Sequence, residues 1–331
     1  MSSRTKKQAF TRKKKRRRRI TLFVVLPILI LGFAAVVYGS HLYSQFKKTM
    51  ADSYEEIEGR EKSPVRDEAI KINKDHFSML IIGVDGVDGN ERRGNSESSR
   101  SDALLLVTVN QSDHTAKMLS IPRDSYVYIP EVGYKTRINH AHAYGGPKAT
   151  IETVENLFDI PVDYYVRVNF QAFMEIIDAL GGIEIDVPFA FSEQDSNDKA
   201  GAISLKPGQQ TLNGEEALAL ARTRKIDNDI ERGKRQQEII KATMLKAASL
   251  KSISKFDDVF DAVGSNMKTN LTFEEMKYLA EFAIKNRLSI DSLTLAGSDY
   301  WPNGVYYYQL DETAVSELKE TLRNHLELGN N

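Results

Sequence analysis

The stretch SMLIIGV, residues 78–84, is apolar except for Ser78 and Gly83 and shows no alternation. A strand with one wet face alternates polar and apolar residues; an unbroken apolar run belongs to a strand covered on both sides. ALLLVTV at 103–109 and AKMLSI at 116–121 read the same way. Helical periodicity follows at about 147–158 and 170–180, the second closed by Gly181 and Gly182 before the strand IEIDV at 183–187. Further helices are predicted at about 213–222, 229–249 and 272–286, with Asn213 and Glu216 spaced as a capping pair. GVYYYQLD, 304–311, predicts one more strand before a final helix from about 311. Strands covered on both faces and interleaved with helices give the fold class: α/β, a three-layer α-β-α sandwich around a mixed central sheet.

Upstream of this pattern the composition changes. Residues 44–74 are rich in Lys and Glu and predict a partly helical stalk, so the folded domain is expected over 75–331. Residues 20–43 hold no Asp, Glu, Lys or Arg, enough chain to cross a hydrocarbon core of about 30 Å. The run exceeds the core of a signal peptide and is read as one uncleaved transmembrane helix, with Gly39 and Ser40 the place a signal peptidase would cut if it were removed. Residues 1–19 contain eleven Lys or Arg and no acid, so a chain of net charge −1 is a basic tail on a body of about −12. Positive flanks stay inside, which predicts a cytoplasmic tail and a domain outside the cell. A polybasic segment beside a membrane meets anionic lipid, which argues against a nucleic-acid arm. The absence of cysteine excludes disulfides, thiolate catalysis and Cys-ligated metal.

The chemistry gathers at strand ends, where open α/β folds bind ligands. LIIGVD ends on Asp85, RSD places Arg100 and Asp102 before the second strand, and LSIPRD ends on Arg123 and Asp124. Pro122 lacks an N–H and turns Arg123 out of the ladder. In the helix predicted from Asp229, the apolar stripe of Ile240, Met244 and Ala247 steps back onto Gln236 and Arg232, so two polar groups share the core-facing side. A buried guanidinium needs an anion, and nothing on that face supplies one, so the stripe is expected to open into a polar pocket for a negative guest. Arg222 and Arg224 stand just before it. Arginine forks recognise phosphate, whereas carboxylates repel it unless a divalent ion bridges them. Asp85 and Asp102 are therefore candidates for holding Mg2+ (or Mn2+), or for one of them to act as general base. His140 and His142 are read as packing groups rather than a zinc pair, no Walker loop or G-x-S-x-G motif is present, and Trp301 with Tyr306, Tyr307 and Tyr308 suits either sugar stacking or core.

In this order LIIGVD, RSDALLLVTVN, LSIPRDSYV, TRINHAHAYGG and ALARTRKIDNDIERGKRQQEII resemble the LytR-CpsA-Psr family of Gram-positive bacteria, and with the basic tail and anchor the likeness covers nearly the whole chain. The resemblance implies a phosphotransferase that moves an anionic wall polymer, such as teichoic acid or capsular polysaccharide, from an undecaprenyl diphosphate carrier to a peptidoglycan hydroxyl. It also implies that Arg100, Arg123, Arg137, Arg222, Arg224, Arg232 and Gln236 hold the diphosphate, while Asp85 and Asp102 bind metal or position the acceptor. A carrier of that length requires an apolar groove between sheet and helices. The competing expectations are a membrane-anchored sensor of lipid-linked precursors and a polyprenyl diphosphate hydrolase.

Overall fold

The structure, a computed structural model, describes residues 53–85, 99–224, 229–249, 266–286 and 288–329. The basic tail (1–19), the expected anchor (20–43) and the first part of the stalk lie outside the described residues. Among the described residues no helix is long and apolar enough to cross a membrane.

In chain order the strands are β1 (Phe77–Val84), β2 (Ser101–Asn110), β3 (Thr115–Ser120), β4 (Tyr126–Ile129), β5 (Tyr134–Arg137), β6 (Tyr164–Asn169), β7 (Ile183–Val187), β8 (Phe191–Glu193), β9 (Ile203–Leu205), β10 (Gly208–Leu212), β11 (Met267–Thr269), β12 (Ser289–Thr294), β13 (Gly297–Tyr300) and β14 (Tyr307–Leu310). The helices are α1 (His140–Phe158), α2 (Phe170–Ala179), α3 (Gly214–Arg222), α4 (Asp229–Ser249), α5 (Phe273–Asn286) and α6 (Glu312–His325). Six strands form the central sheet in the order β11-β6-β1-β2-β3-β12. It is mixed: β1 runs antiparallel to β2 and parallel to β6, and β12 runs parallel to β3.

The three apolar runs are the centre of this sheet, and both of their faces are covered. Leu80, Ile82, Leu104, Leu106 and Leu119 point to one face and pack against Ile151, Val154 and Phe158 of α1 and Leu322 of α6. Phe77, Leu105, Val107 and Met118 point to the other, with Ile240 and Met244 of α4 and Phe282 of α5. A third cluster joins α2, α3, β7 and β10 beside the sheet. IEIDV thus pairs with β10 rather than entering the central sheet, and the late tyrosine-rich strand forms a separate hairpin with β13. Both are too short and too polar on their outer face to be covered twice.

Two local devices set the site. Asn213 accepts from Glu216 N at 3.0 Å while the Glu216 carboxylate accepts from Asn213 N at 3.0 Å, the capping box expected at the start of α3. A Cβ on Gly233 would stand 2.6 Å from Ser120 Oγ and 3.2 Å from its Cβ, so glycine lets the first turns of α4 lie close to β3 without displacing the Ser120 side chain.

Two expectations are corrected. The helix expected at about 147–158 is present, but Gly145 and Gly146, with non-helical backbone, join it to a short preceding helix from His140; the two histidines therefore lie in that helical segment, where no helix was foreseen. The stalk does not stand clear of the domain over its described residues, 53–74. Arg60 donates to Glu155 Oε2 at 3.0 Å, Arg66 pairs with Asp163 at 2.7 Å, and Glu55 N donates to Thr269 O at 2.8 Å. Charged composition reads as solvated when each partner lies some ninety residues away in sequence.

Candidate active site

The β2–β3 hairpin positions the first ion pair. Leu105 pairs with Ser120 and Ile121 N still donates to Leu104 O at 2.9 Å, so carrying this register outward past Pro122 sets Arg123 across from Asp102. Arg123 Nη1 indeed donates to Asp102 Oδ1. Its Nε lies 3.6 Å from Asp124 Oδ2, and the other oxygen of Asp124 is 3.4 Å from Arg137 Nε. Burial pushes the Asp124 carboxyl up, against the opposing pull of Arg123.

Helix α4 supplies the second group. Arg232 is 6% exposed, and its Nη1 sits 3.0 Å from Asp229 Oδ1, one helical turn earlier. The anion expected from elsewhere thus comes in part from the helix itself. Asp229 also lies 3.4 Å from Arg224, so one carboxylate serves two guanidinium groups. Arg232 Nε is buried without a hydrogen-bond partner. Burial lowers the Arg232 pKa to about 10; Asp229 resists that shift, and the neighbouring Arg224 and Arg123 add to it. An excess of guanidinium charge in a partly dehydrated place is a receptor for an anion.

Arg235 fixes the turn that delivers the remaining arginines. Its Nε donates to Leu220 O at 3.2 Å and its Nη2 to Thr223 O at 2.7 Å, satisfying the last carbonyls of α3. Gln236 adds a bond to Ala221 O at 3.3 Å. Arg222 lies over the Phe170 ring at 5.1 Å.

Asp102, Arg123, Arg222, Arg224, Arg232 and Gln236 border one cavity of about 430 Å³ between the sheet and helices α2, α3 and α4. Its charged end holds Asp85, Asp102, Arg123, Arg222, Arg224 and Arg232; its body is lined by Ile81, Leu105, Val168, Phe173, Ile176 and Ile240 among others. Such a space accepts an amphiphile, with an anionic head at the strand ends and a hydrocarbon tail along the sheet.

The profile of the LytR_cpsA_psr family matches residues 40–324. The chain belongs to the LytR-CpsA-Psr family. It is 41% identical over 95% of its length to the polyisoprenyl-teichoic acid--peptidoglycan teichoic acid transferase TagT of Bacillus subtilis, covering 97% of that protein. It is also similar to a solved structure of TagT bound to LI-WTA, with a TM-score of 0.70 and 40% identity over 83% of this chain and all of that one. A structure of TagT with bound octaprenyl pyrophosphate lipid gives a TM-score of 0.66 at 38% identity, with the same coverage.

Seven of the nine residues singled out in this LytR-CpsA-Psr sequence border the cavity: Asp85, Asp102, Arg123, Arg222, Arg224, Arg232 and Gln236. Two do not. Arg137 donates to Tyr306 O at 3.0 and 2.8 Å and lies over the Tyr307 ring, so it braces the wall behind Asp124. Arg100 is exposed and its charge falls on His140, at the start of α1. The sequence reading took Asp229 only as the start of the helix and missed it as the partner of Arg232, and it missed Asp124 as a hub and Arg235 as a brace. The i, i+3 spacing of Asp229 and Arg232 was the available signal for the first. As for metal, Asp85 and Asp102 offer two carboxylates at the charged end, a donor set that Mg2+ accepts when phosphate oxygens complete its shell.

Proposed function

We propose that this chain transfers an anionic wall polymer, teichoic acid or a related glycopolymer, from an undecaprenyl diphosphate carrier to a hydroxyl of peptidoglycan, leaving a phosphodiester. One observation carries the reading: a single cavity joins an apolar body to an end where Arg123, Arg222, Arg224 and Arg232 converge.

In this reading the polyprenyl tail lies along Ile81, Leu105 and Phe173, and the arginines hold the diphosphate. Phosphoryl transfer asks a protein chiefly for alignment and charge neutralisation, which fixed guanidinium groups supply without reorganising. The acceptor oxygen attacks the polymer-side phosphorus. The bond to the bridging oxygen breaks, polyprenyl phosphate leaves with the electron pair, and the hydroxyl proton passes to a carboxylate at the charged end. Asp85 and Asp102 would hold a Mg2+ (or Mn2+) ion, which when bound would neutralise phosphate charge. Arg137 acts here through Asp124 and Arg123 rather than by touching phosphate, a change from the role the family resemblance implied. Residues 20–43 serve as the single anchor of a Gram-positive envelope protein, with 1–19 inside and the domain outside, close to its lipid substrate.

The test incubates the full-length chain, purified in detergent, with a lipid diphosphate-linked glycan and peptidoglycan oligomers, with and without EDTA. Polymer linked to peptidoglycan is expected, lost with EDTA and restored by Mg2+. Free polymer phosphate alone would make the protein a hydrolase, and bound but unaltered lipid would make it a sensor.

A further inference from the structure

The β13–β14 hairpin carries rings that neither the core nor the cavity uses. Tyr308 is buried at 4% exposure, but Trp301 is 61% exposed and Tyr300 39%. Their neighbours continue the surface: Trp301 lies 4.9 Å from the Tyr306 ring, Tyr300 lies 5.7 Å from Tyr126, and Tyr126 lies 4.8 Å from Tyr307. The rings form two groups at one end of the hairpin, Trp301 with Tyr306 and Tyr300 with Tyr126 and Tyr307, and grouped aromatic rings left partly in water mark a place for a partner.

The position of this surface says which partner. Arg137 lies 5.4 Å over the Tyr307 ring and holds Tyr306 O, while its Nε faces Asp124, the carboxylate beside Arg123. Tyr308 N donates to Asp124 O at 2.8 Å. The Tyr306 hydroxyl is pushed up by burial, by its bond to Asp299 and by the charges of Asp229 and Asp124, so it sits within the field of the carboxylate that pairs Arg232. The hairpin therefore stands at the rim of the diphosphate end. The cavity accounts for the donor lipid; the acceptor must reach the same phosphorus from outside it.

We propose that Tyr300, Trp301, Tyr306 and Tyr126 form a platform on which sugar rings of the acceptor glycan strand stack, an inference that rests on the transferase reading above. A pyranose presents a face of C–H groups to an aromatic ring and hydroxyl or amide groups at its edge. Asp299, exposed and bonded to the Tyr306 hydroxyl at 3.1 Å, is an edge acceptor for such groups. Its negative charge suits neutral sugars and opposes an anionic lipid surface, the other common destination of exposed Trp and Tyr.

Trp301 is the one tryptophan of the chain, so its emission reports this surface alone. The full-length protein in detergent is titrated with soluble peptidoglycan glycan-strand oligomers, with stem peptides lacking sugar, and is separately reconstituted into anionic phospholipid vesicles. A saturable emission change with the glycan, absent with the peptides and on reconstitution, is the expected result. Tyr300→Ala should weaken that binding about tenfold, the worth of one stacked ring. In the transfer assay Trp301→Ala should raise the half-saturating acceptor concentration about tenfold without moving that of the donor lipid, and Trp301→Phe should restore most of it. No response to glycan, an emission shift on vesicles alone, or an equal effect on donor and acceptor would each overturn the platform. A wild-type protein that binds glycan but transfers nothing would leave the platform standing and remove the transferase reading instead.

Discussion

The two faces of the central sheet are built from alternate residues of the same strands, yet only one of them is sealed. On the α1 and α6 side Leu80, Ile82, Leu104, Leu106 and Leu119 are at most 1% exposed. On the α4 side the sheet closes around Phe77, Val107 and Phe282 at one end but lines a cavity at the other, past Ile81, Gly83 and Ala103. A space of some 430 Å³ with charged side chains at one end is filled by water or a guest rather than left empty. One face therefore stabilises the protein, and in the proposed reading the other keeps room for its substrate.

The largest expected effect separates the two by chemistry. Arg123→Ala removes a guanidinium at the open face's charged end, where Asp102, its ion-pair partner, remains 28% exposed and can be hydrated. Single-turnover transfer should slow on the order of 10³-fold, about 4 kcal/mol in the transition state, with the melting midpoint within a few degrees of wild type. A wild-type rate would remove Arg123 from the chemistry and with it the contrast between the faces.

A pair of substitutions on β2 sharpens the comparison by size alone. Leu106→Ala opens a hole in the sealed face and should lower unfolding stability by about 3 kcal/mol in denaturant titrations, with the remaining folded enzyme turning over normally. Ala103→Leu adds volume to the open face and should do the reverse: stability holds, while turnover of a long-chain lipid diphosphate falls about tenfold and that of a short-chain analogue does not. Loss of stability in both variants would mean that the cavity is part of the packed core.

The sealed face was legible in the sequence because burial on both sides of a strand leaves a continuous apolar run, and β1, β2 and β3 lie where those runs stand. The α4 stripe was legible for a similar reason, since Gln236 and Arg232 interrupt a helical period on its buried side. What stayed hidden depends on contacts distant in sequence. Arg137 and Arg123 differ little as letters; only the fold puts one against Tyr306 O and the other against Asp102. Arg60 and Arg66 looked like stalk because Glu155 and Asp163 could not be assigned to them before the chain closed.

The smallest effect expected is a pH dependence confined to the sealed face. His325, the last residue of α6, is inserted between Thr108 and Thr115, with Nδ1 2.7 Å from one hydroxyl and Nε2 2.9 Å from the other. Burial lowers its pKa from the ordinary 6.5 to about 4, and the charges of Lys117 and His76 act in the same direction. The neutral ring is the form that fits, so the folded state binds a proton less readily than the unfolded chain. Its contribution is present in full above about pH 6.5 and is lost as the pH falls toward 4. Wild type should therefore lose stability across that window faster than His325→Gln, which has no proton to take up, as read from denaturation midpoints at stepped pH. Parallel profiles would show that the Thr108–His325–Thr115 bridge does not govern the acid response. Because this ring packs beneath the sheet, away from the arginines, the difference should appear in stability and leave the pH profile of transfer unchanged.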